Sequence, residues 1–297
     1  MTSPRHLAYF VALGLFWGLS PSLYRAMGEG KVPITHIIVY SGLGVGLALA
    51  AAAWLGRGRI NFSRDIQFYG IGCAVLMNVP FGLGLVYARH VPTTELALIM
   101  SLAPFFNYGV ALLTGRETPV RRRLAAIAVG FVSTAILILS RDGMISGKFS
   151  WWLIASFSSP ILYTAYSWFA GRYWPRGADT LSVGAAESVW SGLLVLPLLL
   201  IFAPPWGGDL PVLFGYWPVL AASLMWVVER IAFFTLMQEK GPVYTVQAVY
   251  LATPAAVIFA MVFFGGASDI WLWASLAILM VALYLNNTGT AARRTST

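Results

Sequence analysis

A block in the first half of this chain returns in the second. Pro92, Pro104 and Gly115 in HVPTTELALIMSLAPFFNYGVALLTG recur at the same spacing as Pro242, Pro254 and Gly265 in KGPVYTVQAVYLATPAAVIFAMVFFG. Ser20-Pro21 followed by Tyr24 matches Ser159-Pro160 followed by Tyr163, and Ser41-Gly42 matches Ser191-Gly192. The chain reads as an internal duplication, residues 1–145 and 146–297. Its apolar spans fall at about 7–27, 32–55, 67–88, 93–114 and 121–140, then 150–174, 179–203, 211–238, 241–265 and 270–288. Five spans per copy is an odd number, so the second copy must enter the membrane from the opposite side. Such an inverted repeat is the organisation of secondary transporters that alternate access around a site near the midplane.

Composition excludes a soluble domain. Hydrophobic residues make up 59% and charged residues 10%, with a mean hydropathy of +0.75. A transmembrane barrel would show segments of roughly ten residues alternating apolar and polar. The run Leu124–Leu139 is instead apolar throughout, apart from Ser133 and Thr134. The expected fold is an all-α integral membrane protein of ten transmembrane helices in two inverted five-helix repeats.

The basic excess is accounted for by orientation, without nucleic acid. With the N-terminus cytoplasmic, that side holds Arg5, Arg57, Arg59, Arg64, Arg116, Arg121, Arg122, Arg123, Arg172, Arg176, Lys240, Arg293 and Arg294. The opposite side holds Arg25, Lys31, Arg89, Arg141 and Lys148, and Arg230 falls inside a span. Thirteen against five places both termini in the cytoplasm. The run Arg121–Arg123 serves as a topology signal or as a lipid-headgroup contact. The first span has the outline of a signal peptide, but its match to the sixth argues for a retained helix. Cys73, the single cysteine, reads as a small packing residue.

Prolines and aromatics mark a candidate cavity. Pro21 and Pro160 lie inside the first helix of each copy, where they free the carbonyls of Trp17 and Ser156 and predict a kink. Pro104 and Pro254 do the same for Met100 and Tyr250. Freed backbone groups must face protein or water, so paired kinks serve either packing or a cavity wall. Trp17, Pro21 and Tyr24 are spaced to share a helix face, as are Tyr163 and Tyr166, and Tyr244, Gln247 and Tyr250. Trp54, Trp151, Trp152, Trp174, Trp206, Trp217 and Trp271 lie near span ends and suit the interfacial belt.

Three charges lie within spans at one depth: Glu187 in the seventh, Glu229 and Arg230 in the eighth. Neighbouring positions point about 100° apart, so one arrangement pairs Arg230 with Glu187 and leaves Glu229 near the pathway. The pair is either a structural ion pair or part of a gate. Asn78 is the polar feature of the third span. His36, near the outer end of the second, reads as an interfacial histidine, and Glu95 favours the helix dipole from the first turn of the fourth. Gly14 and Gly18 form a GxxxG spacing, and Gly42, Gly44 and Gly46 a glycine-rich stretch, both expected at helix contacts.

Phe16-Trp17-Gly18 ahead of a proline, Pro104 in a fourth span ending at Gly115 and then Glu117, and the ten-span duplication together resemble the EamA branch of the drug/metabolite transporter superfamily. Ser20-Pro21-Ser22-Leu23-Tyr24 and the aromatic-rich helices are similar to the YddG-type exporters of aromatic amino acids. Ala267 stands where the first copy has Glu117, so the acidic loop position is not symmetric. The resemblance implies a basket of eight cavity-lining helices, with the fifth and tenth peripheral, in the bacterial inner membrane. It implies export of aromatic and other neutral amino acids, with a multidrug or organic-cation exporter as the alternative.

The candidate lining is Trp17, Pro21, Tyr24, Asn78, Pro160, Tyr163, Glu187, Glu229, Arg230, Tyr244, Gln247 and Tyr250. The expected partners are a small-molecule substrate and the lipid bilayer, with no nucleic acid. No cofactor or metal is expected: His6, His36 and His90 have neither the spacing of metal ligands nor the partners of a hydrolase, which weighs against an intramembrane enzyme. A nucleotide-sugar carrier would need several deep cations, and only Arg230 is so placed.

Overall fold

The computed structural model describes residues 4–29, 32–57, 59–115, 118–140, 150–202, 217–265 and 270–291. Lys31, Arg116, Glu117, Arg141, Lys148, Trp206, Ala267, Arg293, Arg294 and the expected start of the eighth span at 211–216 lie outside them. Among the described residues the chain is helical, without strands. In chain order the helices are α1 (Pro4–Glu29), α2 (Ile34–Arg57), α3 (Arg64–Tyr87), α4 (Thr93–Met100), α5 (Ala103–Leu113), α6 (Arg121–Ser140) and α7 (Trp151–Ser156). There follow α8 (Ser158–Arg172), α9 (Thr180–Phe202), α10 (Trp217–Lys240), α11 (Pro242–Val246), α12 (Val249–Phe264) and α13 (Ile270–Ala291). The pairs α4/α5, α7/α8 and α11/α12 each occupy one expected span, so the thirteen helices among the described residues form ten consecutive segments. Among the described residues seven segments are long and apolar enough by themselves to cross a bilayer. Their outward faces carry Leu55, Phe68, Leu224 and Val262, all exposed, as a lipid-facing surface requires.

Two of the expected proline kinks are helix breaks. Pro160 has no N–H for the Ser156 carbonyl, and the helix divides at Phe157. Pro104 begins α5 after a break at Ser101-Leu102, closed by short turns from Leu102 N to Ile99 O and from Phe105 N to Leu102 O. Pro21 stays inside an unbroken α1, and Pro254 inside an unbroken α12. The ninth segment breaks earlier, at Gln247-Ala248, so the two copies are not broken at matching positions.

The principal interfaces come in mates when segment n is exchanged for n + 5. Helix α1 packs on α12 as α5 packs on α8; α3 packs on α9 as α10 packs on α2; α1 packs on α10 as α3 packs on α8. Helices α2 and α9 pack on each other, as do α6 and α13. At the α2–α9 crossing Gly42 meets Gly192, its counterpart in the duplication: a Cβ on Gly42 would lie 2.8 Å from Gly192 N. Ser133 and Ser275 exchange hydroxyl-to-carbonyl hydrogen bonds between α6 and α13, at 2.5 and 3.0 Å.

Small residues set these contacts. Gly14 rests against Ala248 and Leu251, and Gly18 against Ala252 and Ala255, so the GxxxG stripe of α1 carries α12. Gly46 packs on Val189, whereas Gly44 has nothing within 4 Å, because it points about 200° from Gly42. Cys73 is fully buried. So is His36, contrary to its interfacial reading; it packs at 5.7 Å on Tyr40, one turn further along α2. Trp54, Trp151, Trp152, Trp217 and Trp271 are exposed near helix ends. Trp174 is a correction: it packs on Tyr69 and Phe234 inside the bundle. Arg123 is buried with its guanidinium 4.6 Å from the Tyr108 ring, while Arg121 and Arg122 are exposed.

Candidate functional site

A cavity of about 190 Å³ lies between the two halves of the chain, lined from every segment except α6 and α13 among the described residues. Its wall uses the second half of α1, from Trp17 to Tyr24, the first half of α2, from Ile38 to Val45, and the second half of α3, from Met77 to Gly84. Because successive helices run in opposite directions, these stretches share one side of the bundle, away from the N-terminus. The other side is filled. Leu13, Ile66, Tyr69, Tyr166, Phe233 and Phe234 form one buried cluster there, with Tyr166 stacked on Phe233 at 5.6 Å. Beyond it, His6 Nε2 lies 2.5 Å from Glu239 Oε2 and Arg5 Nη2 lies 3.4 Å from Oε1, tying the start of α1 to the end of α10.

Trp17 and Tyr163 sit at the junction of cavity and aromatic cluster. Their rings meet edge to face at 5.8 Å, and Trp17 also packs on Phe233 at 6.2 Å. Trp17 Nε1 donates to Glu229 Oε1 at 3.0 Å. Arg230 Nη1 donates to Glu229 Oε2 at 2.8 Å, and Arg230 Nε lies 3.0 Å from Glu187 Oε2. One guanidinium thus joins two carboxylates on neighbouring helices, where the sequence reading paired Arg230 with Glu187 alone. The arginine stem is long enough to fold back on its own neighbour, which the 100° between backbone positions does not forbid.

The structure brings together Trp17, Pro21, Tyr24, Asn78, Tyr163, Glu229 and Arg230 on the cavity wall. Pro160 lies just behind it, between Ser159 and the Tyr163 turn of α8; Ser156, Ser159 and Tyr163 provide the lining there. Asn78 Nδ2 donates to Ser191 O at 3.0 Å, and the Ser191 hydroxyl donates to Asn78 Oδ1, so α3 and α9 are bonded to each other at the cavity wall. Glu187 is 1% exposed and stands behind the wall, reaching it through Arg230.

Tyr244, Gln247 and Tyr250 do not line the cavity. Tyr244 packs on Phe10 at 5.3 Å, and Tyr250 joins the cluster of Leu98, Leu102 and α13. The break at Gln247-Ala248 changes the helical register, and α12 turns Val249, Ala252, Thr253 and Ala256 to the cavity instead. These small residues mark the face on which α1 also packs, a signal the Gly14/Gly18 spacing already held. Sequence reasoning also passed over Ser101 and Thr253, cavity hydroxyls 2.6 Å apart that join α4 to α12, and Trp226, which packs edge-on against Phe81 at 5.1 Å. Of the residues whose carbonyls prolines release, Trp17, Met100 and Ser156 line the cavity and Tyr250 does not.

Comparison with known proteins fits this architecture. Among solved structures 27 chains match, and one crystal structure covers 100% of both chains with a TM-score of 0.61 at 18% identity, a likeness of fold alone. No curated protein matches the sequence. Residues 5–139, the first five segments of this multi-span membrane protein, match the EamA-like transporter family.

Proposed function

We propose that the chain is a transporter of the drug/metabolite superfamily that exports neutral amino acids, aromatic ones among them, across the bacterial inner membrane. Alternating access of two inverted five-span halves would carry the substrate. The observation that supports this most directly is the cavity between the copies, with Trp17 and Tyr163 at its base beside Glu229 and Arg230. A ring has an aromatic floor to meet, an ammonium has Glu229, and a carboxylate has Arg230 and Asn78. The mated interfaces support rocking of one half against the other about the Gly42–Gly192 crossing. With the N-terminus cytoplasmic, as the basic asymmetry argues, the cavity faces outward and the aromatic cluster is the closed inner gate. The pore needs no catalysed reaction.

An organic-cation exporter is the second reading, favoured by one observation: the ionic cluster has two carboxylates to one cation. Uptake of labelled phenylalanine, threonine and a hydrophobic cation into liposomes holding purified protein, with and without a pH gradient, tests both. Saturable phenylalanine uptake is expected, and transport of the cation alone would overturn the amino-acid reading.

A further inference from the structure

The duplicated motif Ser-Pro-x-x-Tyr puts one tyrosine in each half of the chain, Tyr24 on α1 and Tyr163 on α8. Both line the cavity, and both lie within electrostatic reach of Glu229 and Arg230 and of one another. Neither hydroxyl has a hydrogen-bond partner among the described residues. Two more donors stand beside them. Arg230 uses Nε toward Glu187 and Nη1 on Glu229, which leaves the two N–H groups of Nη2. Trp226 lies four residues before Arg230 on α10, one turn along the same helix face. It also lines the cavity, and its indole N–H has no acceptor among the described residues.

Packing fixes these donors in advance. Phe81 of α3 stands between Tyr24 and Trp226, edge to face with both, at centroid distances of 5.4 and 5.1 Å. Gly84 closes on the Tyr24 ring from the same helix, where an added Cβ would lie 3.3 Å from Cε2. Tyr163 is held edge to face by Trp17 at 5.8 Å. Donors already fixed in a low-dielectric surrounding are preorganised for an acceptor, since the protein has little left to order when a ligand arrives. The acceptor that suits several N–H and O–H groups beside a guanidinium is a carboxylate, with two oxygens and about four lone-pair sites. Glu229 narrows the choice. It would repel a free anion, whereas a carboxylate that carries its own ammonium satisfies both the donors and Glu229. Asn78 is bonded to Ser191 at both ends of its amide and adds only its second N–H.

We propose that Tyr24, Tyr163 and Trp226, with Nη2 of Arg230, hold the carboxylate of a zwitterionic amino acid whose ammonium rests on Glu229. This rests on the reading of the cavity as the transport site and names the groups that bind the acid end of its substrate. The tyrosine of each copy reaches the same ion pair from its own half, so the two halves share one ligand group. Tyr24 and Trp226 act through their polar atoms, and Phe81 acts by holding both rings. The carboxylate is therefore required, and an amine that lacks it is a poor ligand.

The test measures binding to purified full-length protein in detergent by titration calorimetry, with phenylalanine, phenylalaninamide and phenethylamine as probes. Phenylalanine is expected to bind about tenfold or more tightly than either amine. Tyr24→Phe and Trp226→Phe each keep a ring in place and delete one donor. Each should weaken phenylalanine by about tenfold and leave the two amines as they were. At saturating phenylalanine, isotope-labelled at its carboxylate, the infrared carboxylate stretch should differ between wild type and each variant. The proposal is overturned if phenylalanine does not bind, or if the amines bind as tightly as it does. It is overturned equally if both variants weaken all three probes alike, which is the result of a packing role, or if the infrared band is the same in wild type and both variants. Phenylalanine that binds with these ratios but is not carried into liposomes would remove the proposed function and leave the carboxylate subsite standing.

Discussion

Replacing Gly42 by alanine puts a methyl group at the point where the two copies cross. An ideal Cβ there lies 2.8 Å from Gly192 N, 3.0 Å from Ser188 O and 3.2 Å from Gly192 Cα. All three are backbone atoms of α9, so no change of rotamer relieves the contact. Carbon atoms pack comfortably at about 3.5–4.0 Å, so α2 and α9 would have to part by roughly 0.5–1 Å. Overpacking of this kind costs about 1–3 kcal/mol. The substitution also removes a glycine from a helix interior, worth about 1 kcal/mol in the opposite sense. Gly44→Ala separates the two effects: Gly44 is on the same helix, exposed, with nothing within 4 Å of an added Cβ. Propensity cancels in the difference, so Gly42→Ala should be less stable than Gly44→Ala by about 1–3 kcal/mol. Reversible unfolding in mixed micelles with increasing dodecyl sulfate, followed by tryptophan fluorescence, measures it. Equal stability of the two variants would refute the argument, because it would mean that the crossing has room for a methyl group.

Trp17→Ala should reduce phenylalanine transport more than threonine transport, by about 2–10-fold if one edge-to-face contact of 0.5–1.5 kcal/mol is lost; equal losses would assign Trp17 to packing. Tyr250→Ala, by contrast, should affect both substrates alike, since its ring lies in the cluster against α13 and outside the cavity. Arg230→Gln leaves two buried carboxylates without their cation and should cost about 3–5 kcal/mol, with part of the loss recovered in the double variant Glu187→Gln, Arg230→Gln. Additive losses in that cycle, read by unfolding, would show the pair to be independent. Single cysteines at 119 and 144 should label from opposite sides of the membrane, and labelling of position 119 from outside the cell would reverse the proposed orientation.

The sequence alone determined the features that follow from burial and from local chemistry. Spans of about 20 apolar residues have no alternative to helix in a bilayer, so the helical class was legible without tertiary information. The pairing of Glu187 with Arg230 was legible because two deep charges at one level are costly apart. Gly14 and Gly18 announced a close helix contact because a missing side chain has few other uses on a membrane helix face. Tertiary structure decided the rest. Proline predicts a lost hydrogen bond, but whether the helix continues through it, as at Pro21, or ends, as before Pro160, depends on what packs alongside. A break at Gln247-Ala248, away from any proline in the repeat, turned Tyr250 from the cavity, because a change of hydrogen-bond register rotates every residue after it; Tyr244, ahead of the break, packs on Phe10 instead. That Arg230 holds Glu229 as well as Glu187 was equally out of reach, since a long side chain chooses its partners after the helices have set their distances.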